Sequence, residues 1–282
     1  MNRILFEKEE IVDGIATFGG VRADHVLNVL HGEVGQVLKT GEVDGKIGTA
    51  VVKSIETSCG CDSSADQPNN RPTDHVRVSV SVCHEEESRR PWVDLILAPP
   101  RPRVMKRLLP QLAALGVGRI FLVGAKKVEK DFWGATLLKP ENYRPLLIDG
   151  LMQAGTSILP TLETRRNFRK FVKEELDALF PDAKRIVAHP YGADGQIDVL
   201  TYCRSERLTD CRSGAGTANH PIIQSSNRPI LLAIGPEGGW TDDEVTMLEE
   251  HGFARYSLGS RILRTDTATI ALLAQLMERF DR

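Results

Sequence analysis

The period of the hydrophobic pattern changes near residue 90, and this change restricts the chain to folds that contain two kinds of sheet. In residues 75–82, four valines alternate with polar residues, which is the period of a strand with one buried face. Short apolar runs at residues 34–38 and 47–55 extend this pattern, with glycine-containing turns between them. Several short strands at this spacing predict a small β-barrel.

From Trp92 onward, continuous apolar runs replace the alternation. These runs lie at residues 93–98, 119–123, 185–188 and 230–235, and helical patterns lie at 103–115, 141–154 and 168–180. Apolar strands that alternate with helices are typical of a parallel sheet covered on both faces. The sequence therefore predicts an α/β fold in the second part of the chain, with domains at 1–90 and 91–282.

The charge balance excludes indiscriminate binding of nucleic acid. The chain of 282 residues has 36 Lys and Arg against 38 Asp and Glu, a net charge of −2, whereas non-specific affinity requires many neutralised phosphates. The balance is uneven, because residues 1–90 carry a net charge of −5 and the remainder carries +3. A structured nucleic-acid target that is recognised locally stays possible.

Two basic clusters lie in the second part of the chain. One consists of Arg101, Arg103, Lys106 and Arg107, and the other of Arg165, Arg166, Arg169, Lys170 and Lys173. Either cluster suits contact with RNA phosphates. A solvated helix face explains each of them equally well.

The cysteines and the lengths of the apolar runs favour a cytoplasmic protein. Five cysteines are an odd number at low density, which argues against a disulfide framework and favours a reducing environment. Cys59, Cys61 and Cys83 with His84 have the right types for zinc, but their spacing matches no standard zinc motif, so no metal site is predicted. The first residues do not resemble a signal peptide and no apolar run is long enough to span a bilayer, so a cytoplasmic protein is expected.

Polar segments at 57–74 and 205–229 are predicted surface insertions.

The strongest candidate for a functional site is the segment 231–245. An apolar strand ends at Gly235, the chain turns through Gly238 and Gly239, and Thr241 with Glu244 forms a T-x-x-E capping box that begins a helix. Glycine-rich loops at this place commonly bind phosphate, but here four acidic residues crowd the turn and the Walker lysine is missing. The loop therefore favours a neutral or cationic ligand. A tight turn with an ordinary helix cap is the alternative.

A second loop follows at residues 256–268 and leads into a terminal helix. The apolar stripe of this helix consists of Leu272, Leu273, Leu276, Met277 and Phe280. Arg261 and Arg264 flank two apolar residues in the loop. One arginine is expected to face a ligand and the other to form an ion pair, and the spacing does not distinguish them.

The two loops together closely resemble the signature of the RsmE family, ribosomal RNA uracil-N3 methyltransferases of the SPOUT superfamily. The resemblance rests on Gly-Pro-Glu-Gly-Gly at 235–239 and on Leu-Gly-Ser-Arg-Ile-Leu-Arg-Thr-Asp-Thr-Ala at 258–268. Further matches follow in the family's order at Arg3, residues 25–30, residues 115–117, Gln153, and His189 with Pro190. The family joins a PUA-like β-barrel to a SPOUT-type parallel sheet with a C-terminal trefoil knot, and it works as a homodimer. The resemblance thus implies an RNA-binding barrel at 1–90, a methyltransferase domain at 91–282 and a knot region at about 185–282.

The resemblance also implies a cofactor, a reaction and a set of site residues. The cofactor is S-adenosyl-L-methionine, whose positive sulfonium agrees with an acidic loop. The implied cofactor-binding residues are His189, Pro190, Gly235, Pro236, Glu237, Gly238, Gly239, Leu258, Gly259, Ile262 and Leu263. The implied reaction is methylation of N3 of a uridine in small-subunit (16S) ribosomal RNA, with Arg264 as the cation that stabilises the uracil anion. Arg3 joins Arg101, Arg103, Lys106 and Arg107 as an expected RNA contact.

The chain departs from the family pattern on the side of the substrate. Many members have a Glu-Gln pair followed by Arg, where this chain has Met152, Gln153 and Thr156. Gln111 and Ala114 stand where the family has Lys and Glu. Ala125 and Lys126 stand where the family has a Glu-Arg pair. Three alternatives therefore stay open. They are an RNA-binding or ribosome-assembly protein that has lost catalysis, a SPOUT methyltransferase with another RNA target, and a nucleotide-binding α/β enzyme.

Overall fold

The computed structural model describes residues 2–57, 76–190 and 230–280. The chain forms two compact units. The first comprises Met1–Arg90, Leu109–Ala114 and Glu141–Leu159, and the second comprises Pro91–Leu108, Leu115–Pro140 and Pro160–Arg282. The division begins at residue 90 but assigns two helical segments from beyond it to the first unit, so the domain bounds 1–90 and 91–282 stay a prediction. The predicted insertions apart from Thr57 lie outside the described residues, as do Cys59 and Cys61.

A six-stranded sheet forms the core of the first unit. Its strands are β1 Ile4–Phe6, β2 Ile11–Val12, β3 Ile15–Phe18, β4 Val37–Glu42, β5 Ile47–Thr57 and β6 Val76–Glu86. Their order is β1-β4-β5-β6-β3-β2, with β1 and β4 parallel and the other ladders antiparallel. The predicted alternation in β6 is confirmed, because Val76, Val78 and Val80 are buried whereas Arg77 is exposed. Helix α1 Gly20–Asp24 and a π-helix His25–Val29 follow β3.

The second unit contains a six-stranded parallel sheet, which confirms the predicted α/β architecture. Its strands are β7 Val93–Leu97, β8 Val117–Val123, β9 Thr161–Arg165, β10 Lys184–Ala188, β11 Ile230–Ile234 and β12 Ala254–Tyr256. The order is β12-β10-β11-β7-β8-β9, and all five ladders are parallel. Every residue of β7 and β11 is buried, which explains their continuous apolar pattern. The sequence pattern did not reveal β9 and β12, which are edge strands with few buried residues.

The longer helices begin and end close to the predicted residues. The helices after α1 are α2 Pro102–Ala114, α3 Pro140–Ala154, α4 Phe168–Lys170, α5 Leu176–Leu179, α6 Asp242–Glu250 and α7 Thr265–Phe280, with a π-helical segment Phe171–Glu175 between α4 and α5. Leu272, Leu273 and Leu276 of α7 are buried, as its stripe predicted. Among the parts of the chain that the structure describes, no helix combines the length and the apolar character that a membrane span requires.

The strand order brings the two candidate loops to one edge of the parallel sheet. Strand β10 lies between β11 and β12, and all three run in the same direction. Their carboxyl ends therefore meet at one edge, where β10 continues into His189, β11 into Gly235 and β12 into Ser257. In open parallel sheets this edge is where ligands bind.

Candidate functional site

A cavity of about 520 Å³ lies at this edge of the parallel sheet, within the second unit. Its lining residues are Lys127, Ala188, His189, Pro190, Ile234, Gly235, Pro236, Glu237, Gly238, Gly239, Trp240, Asp242, Tyr256, Ser257, Leu258, Arg261, Ile262, Leu263, Thr265, Ala268 and Leu272. Ten of the eleven residues expected to bind the cofactor line this cavity, and Gly259 does not. The volume is in the range of sites for small molecules and cofactors.

The Gly235–Gly239 segment, called the glycine loop below, is shaped by main-chain geometry. The Gly239 N–H donates to the Pro236 carbonyl at 2.8 Å and closes a turn. Gly239 has a φ of +70°, a left-handed conformation that glycine adopts without steric cost. At Gly235, a Cβ would lie 3.0 Å from Cδ1 of Trp240, so the indole packs directly against the glycine. Glycine is therefore required at these two positions for different reasons.

A buried carboxylate holds the glycine loop from the side of α6. The predicted capping box is present: the Thr241 N–H donates to Glu244 Oε2 at 2.9 Å. The other oxygen of Glu244 accepts the Lys126 N–H at 2.8 Å, and the residue is only 5% exposed. Glu244 is thus a structural acceptor that joins the loop after β8 to the glycine loop, although the sequence analysis counted it with the charges facing a ligand.

Lys127 is a residue of the cavity wall that the sequence analysis missed. Its Nζ donates to the Gly238 carbonyl at 2.8 Å, and a Cβ on Gly238 would lie 3.0 Å from Lys127 Cδ. The two residues are separated by 111 positions in the chain. No local pattern reveals such a contact, because it depends on the order of the strands.

The two arginines of the second loop lie in different places. Arg261 lines the cavity. Arg264 does not line it; its side chain is exposed, and its carbonyl accepts the Ala268 N–H at 2.8 Å where α7 begins. The ion pair expected for one of them is not found within residues 2–57, 76–190 and 230–280. Arg261 therefore lies at the wall of the cavity, where a ligand would bind, and Arg264 lies outside that wall.

The lining residues fit S-adenosylmethionine chemically. Glu237 and Asp242 supply negative charge for a sulfonium, and Leu258, Ile262 and Leu263 supply apolar contacts for an adenine. Trp240 is 4% exposed, and its Nε1 has no hydrogen-bond partner among the residues described. A buried indole N–H without an acceptor is costly, and a ligand that carries hydroxyl or ring-nitrogen acceptors removes this cost.

The first basic cluster lies beside the cavity. Arg101 pairs with Glu129 at 3.1 Å, two residues after Lys127, and Arg107 pairs with Asp266 at 3.8 Å, one residue after Thr265. Lys127 and Thr265 both line the cavity. Arg103 and Lys106 are exposed on α2. Arg101 and Arg107 are therefore held next to residues of the cavity wall, whereas Arg103 and Lys106 are near them in sequence.

Arg3 and the second basic cluster are engaged in contacts within the protein. The Arg3 guanidinium donates to the carbonyls of Gly155 at 3.0 Å, Thr40 at 2.7 Å and Gly48 at 2.9 Å, and burial lowers its pKa. In the second cluster, the ion pairs are Arg165 with Glu163 and Glu175, Arg169 with Asp243, and Lys170 with Glu174. These contacts favour a solvated, ion-paired surface for the second cluster.

A smaller cavity of about 390 Å³ lies within the first unit. It is lined by Val21, Asp24, His25, Val29, Pro110, Gln111, Ala114, Asp149, Gly150 and Gln153. Gln111 and Ala114 are positions at which the chain departs from the RsmE pattern. Within the first unit, the structure thus groups these two departures with His25 and Gln153.

Comparisons with known proteins agree with this geometry. The model of the RNA methyltransferase domain family matches residues 86–277. The chain is 29% identical over 279 residues to ribosomal RNA small subunit methyltransferase E of Treponema pallidum, covering 98% of this chain and 91% of that protein. It is 33% identical over 161 residues to the protein of the same name from Synechocystis, covering 55% of this chain and 45% of that one. The crystal structure of ribosomal RNA small subunit methyltransferase E from Neisseria gonorrhoeae bound to S-adenosyl methionine has the same fold, with a TM-score of 0.64, 21% identity and coverage of 99% and 97%.

Proposed function

Because the chain belongs to the RNA methyltransferase domain family, and within it to the RsmE group that its two loops resemble, we propose that it methylates N3 of a uridine in small-subunit (16S) ribosomal RNA with S-adenosylmethionine as methyl donor. The observation that carries the proposal is the convergence of the glycine loop, the second loop and His189 with Pro190 on one cavity. The relatives from Treponema pallidum and Synechocystis are ribosomal RNA methyltransferases by name, which supports ribosomal RNA as the class of substrate. The choice of N3 follows from the family resemblance alone.

The cofactor supplies an electrophilic methyl group on a positively charged sulfur. The protein's own contribution is positioning and electrostatics. Glu237 and Asp242 favour the positive charge at the cavity wall, and the buried packing of Gly235 on Trp240 fixes the loop before the ligand arrives. Holding donor and acceptor atoms in an attack geometry is the main source of acceleration in such a displacement.

Uracil N3 loses a proton during the reaction, so negative charge develops on the base. We assign Arg264 to stabilise this charge, because its side chain is exposed where the second loop enters α7, outside the cavity wall. An exposed guanidinium at this place is free to meet an RNA base that approaches from solvent. Removing one preorganised donor of this kind typically costs about 10²- to 10³-fold in turnover.

RNA contact is assigned to Arg101 and Arg107, whose ion pairs lie next to the cavity wall, and to the exposed Arg103 and Lys106 close to them in sequence. It is also assigned to the part of Arg3 that its carbonyl contacts leave available. The architecture proposed with this function is a PUA-like β-barrel at 1–90 and a SPOUT domain at 91–282 with a trefoil knot in the region 185–282. The protein acts as a homodimer in the cytoplasm, where its ribosomal substrate is found.

Mass spectrometry of small-subunit ribosomal RNA tests the proposal most directly. RNA from a strain that lacks this gene is expected to lack one N3-methyluridine, and purified protein with S-adenosylmethionine should restore it. Unchanged ribosomal RNA, together with methylation of another RNA, would reassign the substrate and keep the chemistry. If the purified protein does not bind S-adenosylmethionine in calorimetry, the proposed activity is wrong.

A further inference from the structure

We propose that Lys127 binds the carboxylate of the cofactor's methionyl group. This inference rests on the proposed function, since it names the part of S-adenosylmethionine that one wall of the cavity recognises. The Lys127 ammonium is fixed at that wall by its hydrogen bond of 2.8 Å to the Gly238 carbonyl. An ammonium has three N–H donors, and this bond uses one of them.

The charges around the cavity explain why a lysine is there. Two carboxylates, Glu237 and Asp242, and two cations, Lys127 and Arg261, line the same space. A ligand that carried only the positive sulfonium would be repelled by the cations. S-adenosylmethionine ends in an amino acid with an ammonium and a carboxylate, so a wall with charges of both signs is complementary to that end of the molecule.

Lys127 is better prepared for this contact than Arg261. Its side chain packs along Gly238, where a Cβ would lie 3.0 Å from Lys127 Cδ, and its neighbour Lys126 is tied through the main chain to the buried Glu244 at 2.8 Å. Both side chains are exposed, but Lys127 is held by its bond to the Gly238 carbonyl, whereas no hydrogen bond or ion pair of the Arg261 side chain is found within residues 2–57, 76–190 and 230–280. A donor that is already in place loses less conformational freedom when the ligand binds.

The test compares two ligands that differ only in the carboxylate. S-adenosylmethionine and its decarboxylated form carry the same adenosine, sulfonium and amine, so the ratio of their dissociation constants isolates the carboxylate. Calorimetry on the wild-type protein is expected to show at least a tenfold preference for S-adenosylmethionine, because hydrogen bonds between charged groups are the strong ones. In Lys127→Met the ratio should fall to near one, and in Lys127→Arg a part of the preference should return.

Three outcomes separate this inference from its alternatives. If Lys127 only holds the glycine loop, Lys127→Met weakens both ligands by the same factor and leaves the ratio unchanged, which would overturn the proposal. A ratio that collapses in Arg261→Met and not in Lys127→Met would assign the carboxylate to Arg261. Lys126→Met is the matched control, since its exposed side chain does not line the cavity, and it should leave the ratio unchanged. Failure of the wild-type protein to bind either ligand would refute the proposed function itself, and this inference with it.

Discussion

The two loops that line the cavity are held in opposite ways. The glycine loop is fixed by two buried groups, since Trp240 packs on Gly235 and Glu244 accepts main-chain N–H groups at 5% exposure, and by the exposed Lys127, which donates to the Gly238 carbonyl. In the second loop, the Ser257 hydroxyl donates to the nearby Gly259 carbonyl at 3.0 Å, and Ile262 is 69% exposed. The wall formed by the glycine loop is therefore preorganised, whereas the wall formed by the second loop is able to adapt. We assign the first wall to the charged end of S-adenosylmethionine and the second loop to its adenine, with Arg264 at the end of that loop exposed toward the entering RNA.

The largest expected effect is at Arg264, where the exposed loop ends. Arg264→Met should lower kcat by about 100-fold, because it removes a cation that acts on charge developing in the transition state. The cofactor affinity measured by calorimetry should stay unchanged, since Arg264 does not line the cavity. A loss of cofactor affinity with normal turnover at saturation would show that Arg264 binds the cofactor and does not act on the base. Lys at this position should restore part of the rate.

The anchor of the glycine loop should matter for stability as well as binding. Glu244→Ala leaves the N–H groups of Lys126 and Thr241 without their acceptor, so the free energy of unfolding in urea should fall by about 2–3 kcal/mol. The affinity for S-adenosylmethionine should fall with it. Glu250→Ala, an exposed position at the end of the same helix, is the control and should change stability by less than about 0.5 kcal/mol. Equal effects of the two substitutions would mean that Glu244 does not anchor the loop.

A smaller effect is expected from the backbone of the same loop. Gly239→Ala forces a residue with a Cβ into a φ of +70°, which costs about 1–2 kcal/mol. We expect this strain to appear as a roughly tenfold weaker binding of S-adenosylmethionine or as a lower melting temperature. Gly134→Ala is the matched control in the same unit, because a Cβ there meets nothing within 4 Å. Wild-type behaviour of Gly239→Ala would show that the glycine loop is not rigid.

The smallest effect should come from the tip of the second loop. Ile262→Ala removes a side chain that is 69% exposed, so the free energy of unfolding should change by less than about 0.5 kcal/mol. Its consequence should appear instead as a modest loss of affinity for S-adenosylmethionine in calorimetry, because Ile262 is one of the apolar residues assigned to the adenine. If Ile262→Ala lowers the free energy of unfolding as much as Glu244→Ala does, the second loop is anchored too and the two loops do not differ in rigidity.

The sequence predicted those features that depend on local patterns. The apolar runs identified β7, β8, β10 and β11 because these strands are buried, and the T-x-x-E spacing identified the helix cap at Thr241 because capping acts over three residues. The edge strands β9 and β12 escaped detection, since neither contains a buried residue and neither forms an apolar run.

The lining of the cavity was predicted only in part, because some of its contacts do not follow from a local pattern. The family resemblance selected ten residues that line it. It gave no indication of Lys127, whose contact with Gly238 joins segments 111 positions apart, or of the packing of Trp240 on Gly235, and it did not separate Arg261 from Arg264. The direction in which a side chain points at the end of a loop depends on packing contacts, and the spacing of residues in the sequence does not reveal these contacts.

The order of strands in the parallel sheet has a consequence for how the protein folds during synthesis. Strand β7 pairs on one side with β8, which follows it closely, but its other neighbour is β11, and β10 and β12 join through that strand. A chain that is made from its amino terminus therefore exposes the unpaired edge of β7 until Ile230–Ile234 has left the ribosome. Sheets that depend on such distant pairings form slowly, and an open strand edge invites pairing with other chains in the meantime. Most residues that line the cavity lie at or after the end of β11, so the cavity is incomplete until this part of the chain has been synthesised, and a cofactor bound there would stabilise only the folded unit.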